Sequence, residues 1–396
     1  MEPLEHLTKG LLLPELKLTT VKRTSYSSFC WWAKKERSGA VCPKCANFTL
    51  VAYDKRVVRI KDRPLDGKQI VLKILKRRYF CKPCKRPFTE PLPGILPGRK
   101  TTQRLRKSVQ WACLQFSDLK KVENTYRVSA GFVYKSLYEQ LELETRKIKS
   151  DEFGTSVGID EHVFGRKKGL RRKEFVTMIV DHNHKKVREV VLGKTHESLW
   201  SGLEKISGRE KVKVVTLDMS DSYKSFAKNF FPNAELVADR FHVERLIQPL
   251  MLARRIEITG DQRTNPVRLL MNRKRKNLEF WERTKLDQWL KLHPKMNELY
   301  SIKEQIGRFY EIRGFNRAEI AFNKILFRLQ AFTEPALKTF CKTLTRWKTE
   351  ILNYFKFRIT NARVEGFNNV AKVIKRMGYG FRSFNNYRLR LLTACS

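Results

Sequence analysis

Val212-Lys213-Val214-Val215-Thr216-Leu217-Asp218 is the stretch that decides the fold. It is a short apolar run, rich in β-branched residues, that ends on a carboxylate. Val157-Gly158-Ile159-Asp160 has the same pattern upstream. Between the two, Phe175-Val176-Thr177-Met178-Ile179-Val180 and Glu189-Val190-Val191-Leu192 lie at hairpin distance, and a helix-like stretch runs from Glu197 to Ile206. A helix over Ser222–Phe230 and a short strand, Glu235-Leu236-Val237-Ala238, follow. Three strands, helix, strand, helix, strand predicts an α/β domain with a mixed sheet. If the first and fourth strands are neighbours, Asp160 and Asp218 converge at one sheet edge. Carboxylates that close repel unless a divalent cation lies between them. Each could instead terminate a strand or cap a turn, and the two residues alone do not choose.

Downstream, from about 243 to 355, strand patterns stop. Leu, Phe, Trp, Lys and Arg recur at three- and four-residue spacing, which predicts a helical block with Trp281, Trp289, Phe309, Phe322, Phe327 and Trp347 inside. The tail Thr360-Asn361-Ala362-Arg363-Val364-Glu365-Gly366-Phe367-Asn368-Asn369 opens with helix-capping residues. Continued as a helix, it places Glu365, Asn369, Lys372 and Arg376 on one face. An acid followed by amide and basic groups suits metal at one end and phosphates along the stripe, with Lys372, Lys375 and Arg376 as the candidate phosphate contacts. A solvated charged face is the other reading.

Upstream, Cys42-Pro43-Lys44-Cys45 and Cys81-Lys82-Pro83-Cys84 are two Cys-x-x-Cys pairs. Each presents two thiolates from one tight turn, and two such turns close a tetrahedron around zinc. The interval holds β-rich Val57–Ile60 and Ile70–Leu75 around Asp66-Gly67, a hairpin signal. Together they read as a zinc ribbon, in which the ion replaces a core too small to hold itself. A redox pair is the rival for either motif alone. Cys30, Cys113, Cys341 and Cys395 read as ordinary thiols. Pro91, Pro93 and Pro97 with Gly94 and Gly98 mark a linker. Residues 101–147 look helical: Ser117-Asp118-Leu119 opens one helix, Arg127–Gly131 breaks it, and Phe132, Val133, Leu137 and Leu141 stripe the next. That is a candidate helix-turn-helix, with a plain helical hairpin as the alternative.

Composition bounds the partner. In 396 residues, 82 Lys+Arg oppose 40 Asp+Glu, a net charge of +42 spread through every segment. Such a balance points to a polyanion, most simply nucleic acid. Hydrophobic content of 41% supports real cores. No stretch approaches the apolar length of a membrane span. Met1-Glu2-Pro3-Leu4-Glu5-His6 lacks a secretory pattern, and eight cysteines are too few for a disulfide scaffold. The expected place is a reducing cytoplasm, at the nucleoid, with no membrane partner.

These segments occur in a specific order, joined by Arg77–Cys84 with Phe88-Thr89-Glu90, by Val237-Ala238-Asp239-Arg240-Phe241-His242-Val243, and by Gly378-Tyr379-Gly380-Phe381-Arg382. The ordered set resembles the DDE transposases of bacterial insertion sequences, ISL-three type, over nearly the whole chain. The resemblance implies a ribonuclease-H-like catalytic domain with the triad Asp160, Asp218 and Glu365, and a helical insertion in the long second gap. Asp239 and His242 resemble an accessory Asp-x-x-His element, while Glu161, Asp181, Asp221 and Asp239 are rival acids. The implied organisation is a zinc ribbon over 1–98, a helix-turn-helix over 99–150, catalytic segments over 151–242 and 356–396, and the insertion over 243–355. The implied chemistry is phosphoryl transfer with catalytic Mg²⁺ or Mn²⁺, beside a structural Zn²⁺. Water cleaves at a transposon end, and the 3′-OH then attacks target DNA. Double-stranded ends and target are the expected partners, in a homodimer or higher oligomer. A zinc-ribbon and helix-turn-helix DNA-binding regulator with an inactive transposase fold is the alternative from the binding class.

Overall fold

A computed structural model describes residues 16–92, 94–115, 118–149, 152–166, 173–260 and 266–396. Pro93 of the linker, Ser117 of the expected cap and Met1–His6 lie outside the described residues. The chain divides into two compact units, 1–143 and 144–396.

In the first unit, β1 (Leu16–Ser25), β2 (Ser28–Lys35), β5 (Ala52–Leu65) and β6 (Lys68–Cys81) form a sheet in the order β1-β2-β6-β5, with β7 (Arg86–Thr89) added to β6. β3 (Ala40–Val41) pairs β4 (Phe48–Thr49) beside it. The Asp66-Gly67 turn stands as expected. Both residues have left-handed φ, 46° and 71°, between the paired Leu65 and Lys68, the geometry of a two-residue hairpin loop. The strands it joins are much longer than the apolar runs at 57–60 and 70–75. Trp31, Ala33, Ile60, Ile70, Leu72 and Ile74 supply the buried face.

Three helices follow, α1 (Gln103–Leu114), α2 (Leu119–Tyr126) and α3 (Ala130–Lys149). Asp118 caps α2 by accepting from the Lys120 N–H at 2.9 Å, and Arg127 ends it in the left-handed region at φ 45°. Val122, Val133, Leu137 and Leu141 are buried, so the apolar stripe of the second helix is where periodicity put it. Buried Asp62 of β5 accepts from the Thr102 hydroxyl at 2.7 Å and from Arg104 Nε at 2.8 Å. This knits the ribbon and the helices into one unit.

The second unit is built on a five-stranded sheet in the order β10-β9-β8-β11-β12. β8 (Ser156–Arg166), β9 (Lys173–Asp181) and β10 (Lys186–Leu192) run antiparallel, while β11 (Val214–Leu217) and β12 (Glu235–Ala238) run parallel to β8. Side chains alternate across it. Val157, Ile159, Ile179 and Val191 face a core shared with α4 (His196–Leu203) and α5 (Asp221–Phe230). Val176, Met178, Val180 and Val190 face α14 (Ala362–Met377) and α15 (Phe384–Ala394). Helices therefore cover both faces of a mixed sheet.

The strand-free block comprises α6 (Arg240–Arg245), α7 (Gln248–Thr259), α8 (Pro266–Asn272), α9 (Phe280–Leu292), α10 (Pro294–Phe309), α11 (Phe315–Gln330), α12 (Pro335–Arg346) and α13 (Lys348–Phe357). Phe309, Phe322 and Trp347 are buried there, and Trp289 is half-buried against the same core. Trp281 and Phe327 are not inside: they are 64% and 76% exposed. The inward stripe of α9 is Glu282, Leu286 and Leu290, and that of α11 is Ala318, Phe322, Ile325 and Leu329, which turns both aromatics outward. Among the described residues no helix is long and apolar enough to cross a membrane.

Candidate active site

β8, β11 and β12 are adjacent and parallel. β11 and β12 run out into Asp218 and Asp239, whereas Asp160, expected from sequence to end its strand, lies within β8, which continues to Arg166 and pairs Asp160 with Met178. Thr216 pairs Gly158 and Leu217 pairs Ala238, so the register brings Asp160, Asp218 and Asp239 side by side. Burial is the first cause that pushes the Asp160 carboxyl up to about 6, and the charges of Asp239 and Glu161 add to it. Burial likewise pushes Asp218 up to about 6, with Asp160 and Glu161 adding repulsion. Asp218 Oδ1 is buried with no hydrogen-bond partner. Asp239 is buried, and its Oδ2 lies 3.0 Å from His242 Nδ1. That bond is the leading cause that raises the His242 pKa, and the charges of Asp160 and Asp218 contribute. Two crowded carboxylates, one with an unsatisfied oxygen, are a donor set short of positive charge. They fit a divalent cation.

Glu365 stands on the exposed side of the first turn of α14. Arg363 holds that turn by donating to the His182 carbonyl, and the groups that reach the acids from it are uncharged. Asn361, buried, donates from Nδ2 to the Ile159 carbonyl at 3.0 Å and from its main-chain N–H to Asp239 Oδ1 at 3.3 Å. Its Oδ1 accepts from the Thr216 hydroxyl, which accepts in turn from His182 Nε2 at 2.9 Å. One helix face further on, Asn368 Nδ2 donates to Asp160 Oδ2 at 2.8 Å. That orientation turns Asn368 Oδ1 to His162 Nδ1 at 2.9 Å, leaving His162 Nε2 to accept from Tyr387 at 2.5 Å. Burial keeps His162 and His182 neutral, each pushed down to about 4. Gly158 makes the approach possible. A Cβ there would lie 2.6 Å from Val364 Cγ2, 2.7 Å from His182 Nε2 and 2.9 Å from Asn361 Oδ1.

The remaining expected residues sort by their contacts. Glu365, Asn369, Lys372 and Arg376 are all exposed, as one stripe of α14. Lys372 Nζ donates to Asn369 Oδ1 at 3.1 Å, whereas Lys375 is turned inward onto the Val163 carbonyl. Among the rival acids, Asp181 is a buried turn anchor. It accepts from Gly154, Asn183 and His184 main-chain N–H groups and lies 2.9 Å from His184 Nδ1; against burial, the His184 ring first, with the His184 and Gly154 N–H groups, holds its pKa below the usual range. Asp221 pairs Arg346 at 3.1 Å on the surface. Glu161 accepts from Tyr223 at 2.9 Å and faces Lys194 at 3.5 Å. Sequence reasoning singled out neither Asn361 nor Asn368 as a site residue. The available signal was two amides seven positions apart in line with apolar Val364 and Ala371, on the buried face of the helix.

In the first unit, Cys42, Cys45, Cys81 and Cys84 place their sulfurs within 4.8 Å of one another. Among the described residues this is the one set of three or more candidate ligand groups so close; the carboxylates of Asp160, Asp218 and Glu365 stand farther apart. The Cys45–Cys81 and Cys42–Cys84 separations are 3.5 and 4.0 Å, against about 3.8 Å for sulfurs around tetrahedral zinc. Main-chain N–H groups of Cys45 and Lys44 draw Cys42 down to about 6, and the hydrogen bond to Cys45 first among other causes pushes Cys84 up to about 12. Four thiols so crowded share negative charge well only around a cation, and they fit structural zinc.

Comparison with known proteins gives a family for each unit. A family model described as transposase matches residues 157–391, and another described as zinc-finger of transposase IS204/IS1001/IS1096/IS1165 matches residues 38–84. The chain is 24% identical over 365 residues to the transposase for insertion sequence element IS1001 of Bordetella parapertussis, covering 89% of this chain and 88% of that protein. It is also 29% identical over 107 residues to an ATP-dependent protease of Lactococcus lactis subsp. lactis, over 27% of this chain and 33% of that protein.

Proposed function

This chain belongs to the ISL-three family of transposases, and from that premise we propose that it cuts DNA at insertion-sequence ends and joins the freed 3′-OH to target DNA. The catalytic unit is read as ribonuclease-H-like, with Asp160, Asp218 and Glu365 as the acidic triad. The carrying observation is the row of acids that register aligns, Asp160 within β8 and Asp218 and Asp239 at the ends of β11 and β12, with Asp218 Oδ1 buried and unpartnered.

Two Mg²⁺ or Mn²⁺ ions on the triad would activate the attacking oxygen and neutralise the developing phosphate charge. The chain's own residues do the rest. Asn368 fixes the rotamer of Asp160. Asp239 holds the ring of His242 toward the carboxylates, an accessory role. Lys372 and Arg376, on the Glu365 stripe, contact backbone phosphates, with Lys375 supporting the helix from beneath. In the first unit, the zinc ribbon and the α2–α3 pair read as a helix-turn-helix module that recognises the ends. Two ends must be held together, so the working form is a dimer or larger, acting in the cytoplasm on nucleoid DNA.

The test is plasmid DNA carrying the flanking inverted repeats, incubated with protein and Mg²⁺ and scored for strand transfer. Products are expected with the wild type and none with Asp160→Ala, Asp218→Ala or Glu365→Ala. End binding without any strand transfer by the wild type favours the DNA-binding regulator instead.

A further inference from the structure

Two cavities in the helical block share a wall made by Arg245, Gln248, Met251, Met271 and Asn272. The larger, about 740 Å³, is the size of a small-ligand site. Seven of its lining residues are Lys or Arg and three are Glu. Those glutamates are already neutralised: Glu244 by Lys274, Glu304 by Lys303 and Glu311 by Lys276. Arg283 Nε donates to the Leu278 carbonyl at 2.9 Å, and Arg308 Nε to the Glu304 carbonyl at 3.5 Å. Their guanidinium charges therefore add to the field of the cavity. At the rim Phe241 is 45% exposed, with Arg245 stacked 5.0 Å from its ring centroid.

The smaller cavity, about 310 Å³, is lined by Arg245, Arg255 and Arg268 and, among the described residues, by no acid. Arg255 is 1% exposed, and its Nε and Nη2 have no hydrogen-bond partner. Only its Nη1 is used, on the Thr259 hydroxyl at 3.3 Å. A buried guanidinium edge with two idle donors is costly unless an acceptor completes it. Nε and one Nη together form the fork that takes two oxygens of a phosphate.

We propose that the joined cavities seat one unpaired nucleotide of a DNA strand, its phosphate on Arg255 with Arg245 and Arg268, and its base against Phe241 above the thioethers of Met251 and Met271. A free phosphate explains the arginines but not the apolar floor and exposed ring of the larger cavity. The strand, rather than a free nucleotide, follows from position. The Phe241 ring contacts the His242 ring at 6.0 Å between centroids, and His242 faces Asp160 and Asp218. One short helix, α6, thus carries a wall of the cavity and a wall of the acidic cluster. This placement rests on the transposase reading, because a strand held in the cavity leads to those acids.

The test is binding of a labelled single-stranded oligonucleotide, without end sequences and without added Mg²⁺ or Mn²⁺, so that no chemistry is required and the zinc ribbon stays intact. Arg255→Met keeps the stem and removes the idle donors. It is expected to fold at least as stably as wild type, yet to weaken single-strand binding about tenfold or more. Arg268→Ala and Phe241→Ala, both near the surface, should each weaken it too, while blunt duplex binding changes little. Competition separates the sources. Inorganic phosphate or a free mononucleotide should displace the oligonucleotide only at far higher concentration. Equal single-strand affinity in Arg255→Met and Phe241→Ala overturns the site, and displacement by an equimolar mononucleotide overturns the strand assignment. Normal oligonucleotide binding by a wild type that performs no strand transfer sinks the transposase reading and leaves the pocket standing.

Discussion

Replacing Asp218 by Asn should stabilise the metal-free protein, although it removes a residue proposed to be essential. Asp218 in the folded chain titrates at about 6, against an ordinary value of 3.8, with burial as the first cause. A carboxyl whose pKa is raised by folding imposes no penalty below the unfolded value. The penalty grows as pH climbs through the window from 3.8 to about 6 and is complete above it. Complete, it is worth at most about 3 kcal/mol, and partial solvent access brings the expected figure to about 1–3 kcal/mol. Asparagine removes the charge but can still accept from the Ser220 N–H. It also removes the repulsion between Asp218 and Asp160. The assay is thermal melting in EDTA from pH 4 to pH 8, at about 0.3 M salt to screen the general positive charge. For a unit of this size the variant should melt several degrees above wild type at pH 8, about 2–4 °C for each kcal/mol, and show no advantage at pH 4. Mg²⁺ should then raise the wild type and close the gap, because a ligand stabilises the state that binds it. A variant that melts at or below wild type at pH 8, or by a margin independent of pH, refutes the reasoning.

Three further outcomes follow from the same geometry. Purified protein should carry about one zinc per chain by metal analysis, and Cys81→Ser should lose it together with the protease resistance of the ribbon. Gly158→Ala should cost about 1–3 kcal/mol in denaturant titration, since its Cβ would press on three side chains, Val364, His182 and Asn361, that are packed or hydrogen-bonded in place, and it should impair strand transfer more than DNA binding. Glu365→Ala should abolish strand transfer at unchanged end affinity, whereas Asp221→Ala, on a surface ion pair, should retain it in the same gel assay.

Strand patterns around the acids were legible because each holds a short apolar run, although β8 continues beyond its run through Glu161 and His162 to Arg166. The expected runs at 157–160, 175–180, 189–192 and 235–238 all lie in strands of one sheet. The β1–β2 hairpin was not legible. Leu16 and Leu18 are buried, but the rest of β1 is exposed and reads Thr, Lys, Arg and Ser, with too little alternation to announce a strand. Trp281 and Phe327 were misplaced for a related reason. Both lie on helices studded with aromatics and basic stems, where several faces look apolar and only packing chooses one. Asp181 was indistinguishable from a catalytic acid in sequence, since its role as a turn anchor depends on three main-chain N–H groups that converge only in the fold. Arg255 carried no signal at all among so many basic residues.

The placement of Glu365 shows why the polar residues beneath it are amides. A lysine or arginine in place of Asn361 or Asn368 could also have pinned α14 to the strand ends. It would then form an ion pair with Asp160 or Asp239, satisfy the carboxylate, and compete with any cation for it. An amide gives a directed hydrogen bond with no net charge. Asn368 orients Asp160 at 2.8 Å while burial still leaves that carboxyl raised to about 6 and short of positive charge. The neutral histidines follow the same logic. His162 and His182, each pushed down to about 4, complete the amide chains without adding a proton near the acids at physiological pH. Of the three rings beside the site, His242 is raised instead, and it is bonded to a carboxylate, Asp239, rather than to an amide or a hydroxyl. The side chains of α14 bonded around Asp160 are thus uncharged, while its cationic anchors, Arg363 and Lys375, are spent on the His182 and Val163 carbonyls, which keeps the need for a cation concentrated on Asp160 and Asp218, the two groups proposed to hold one.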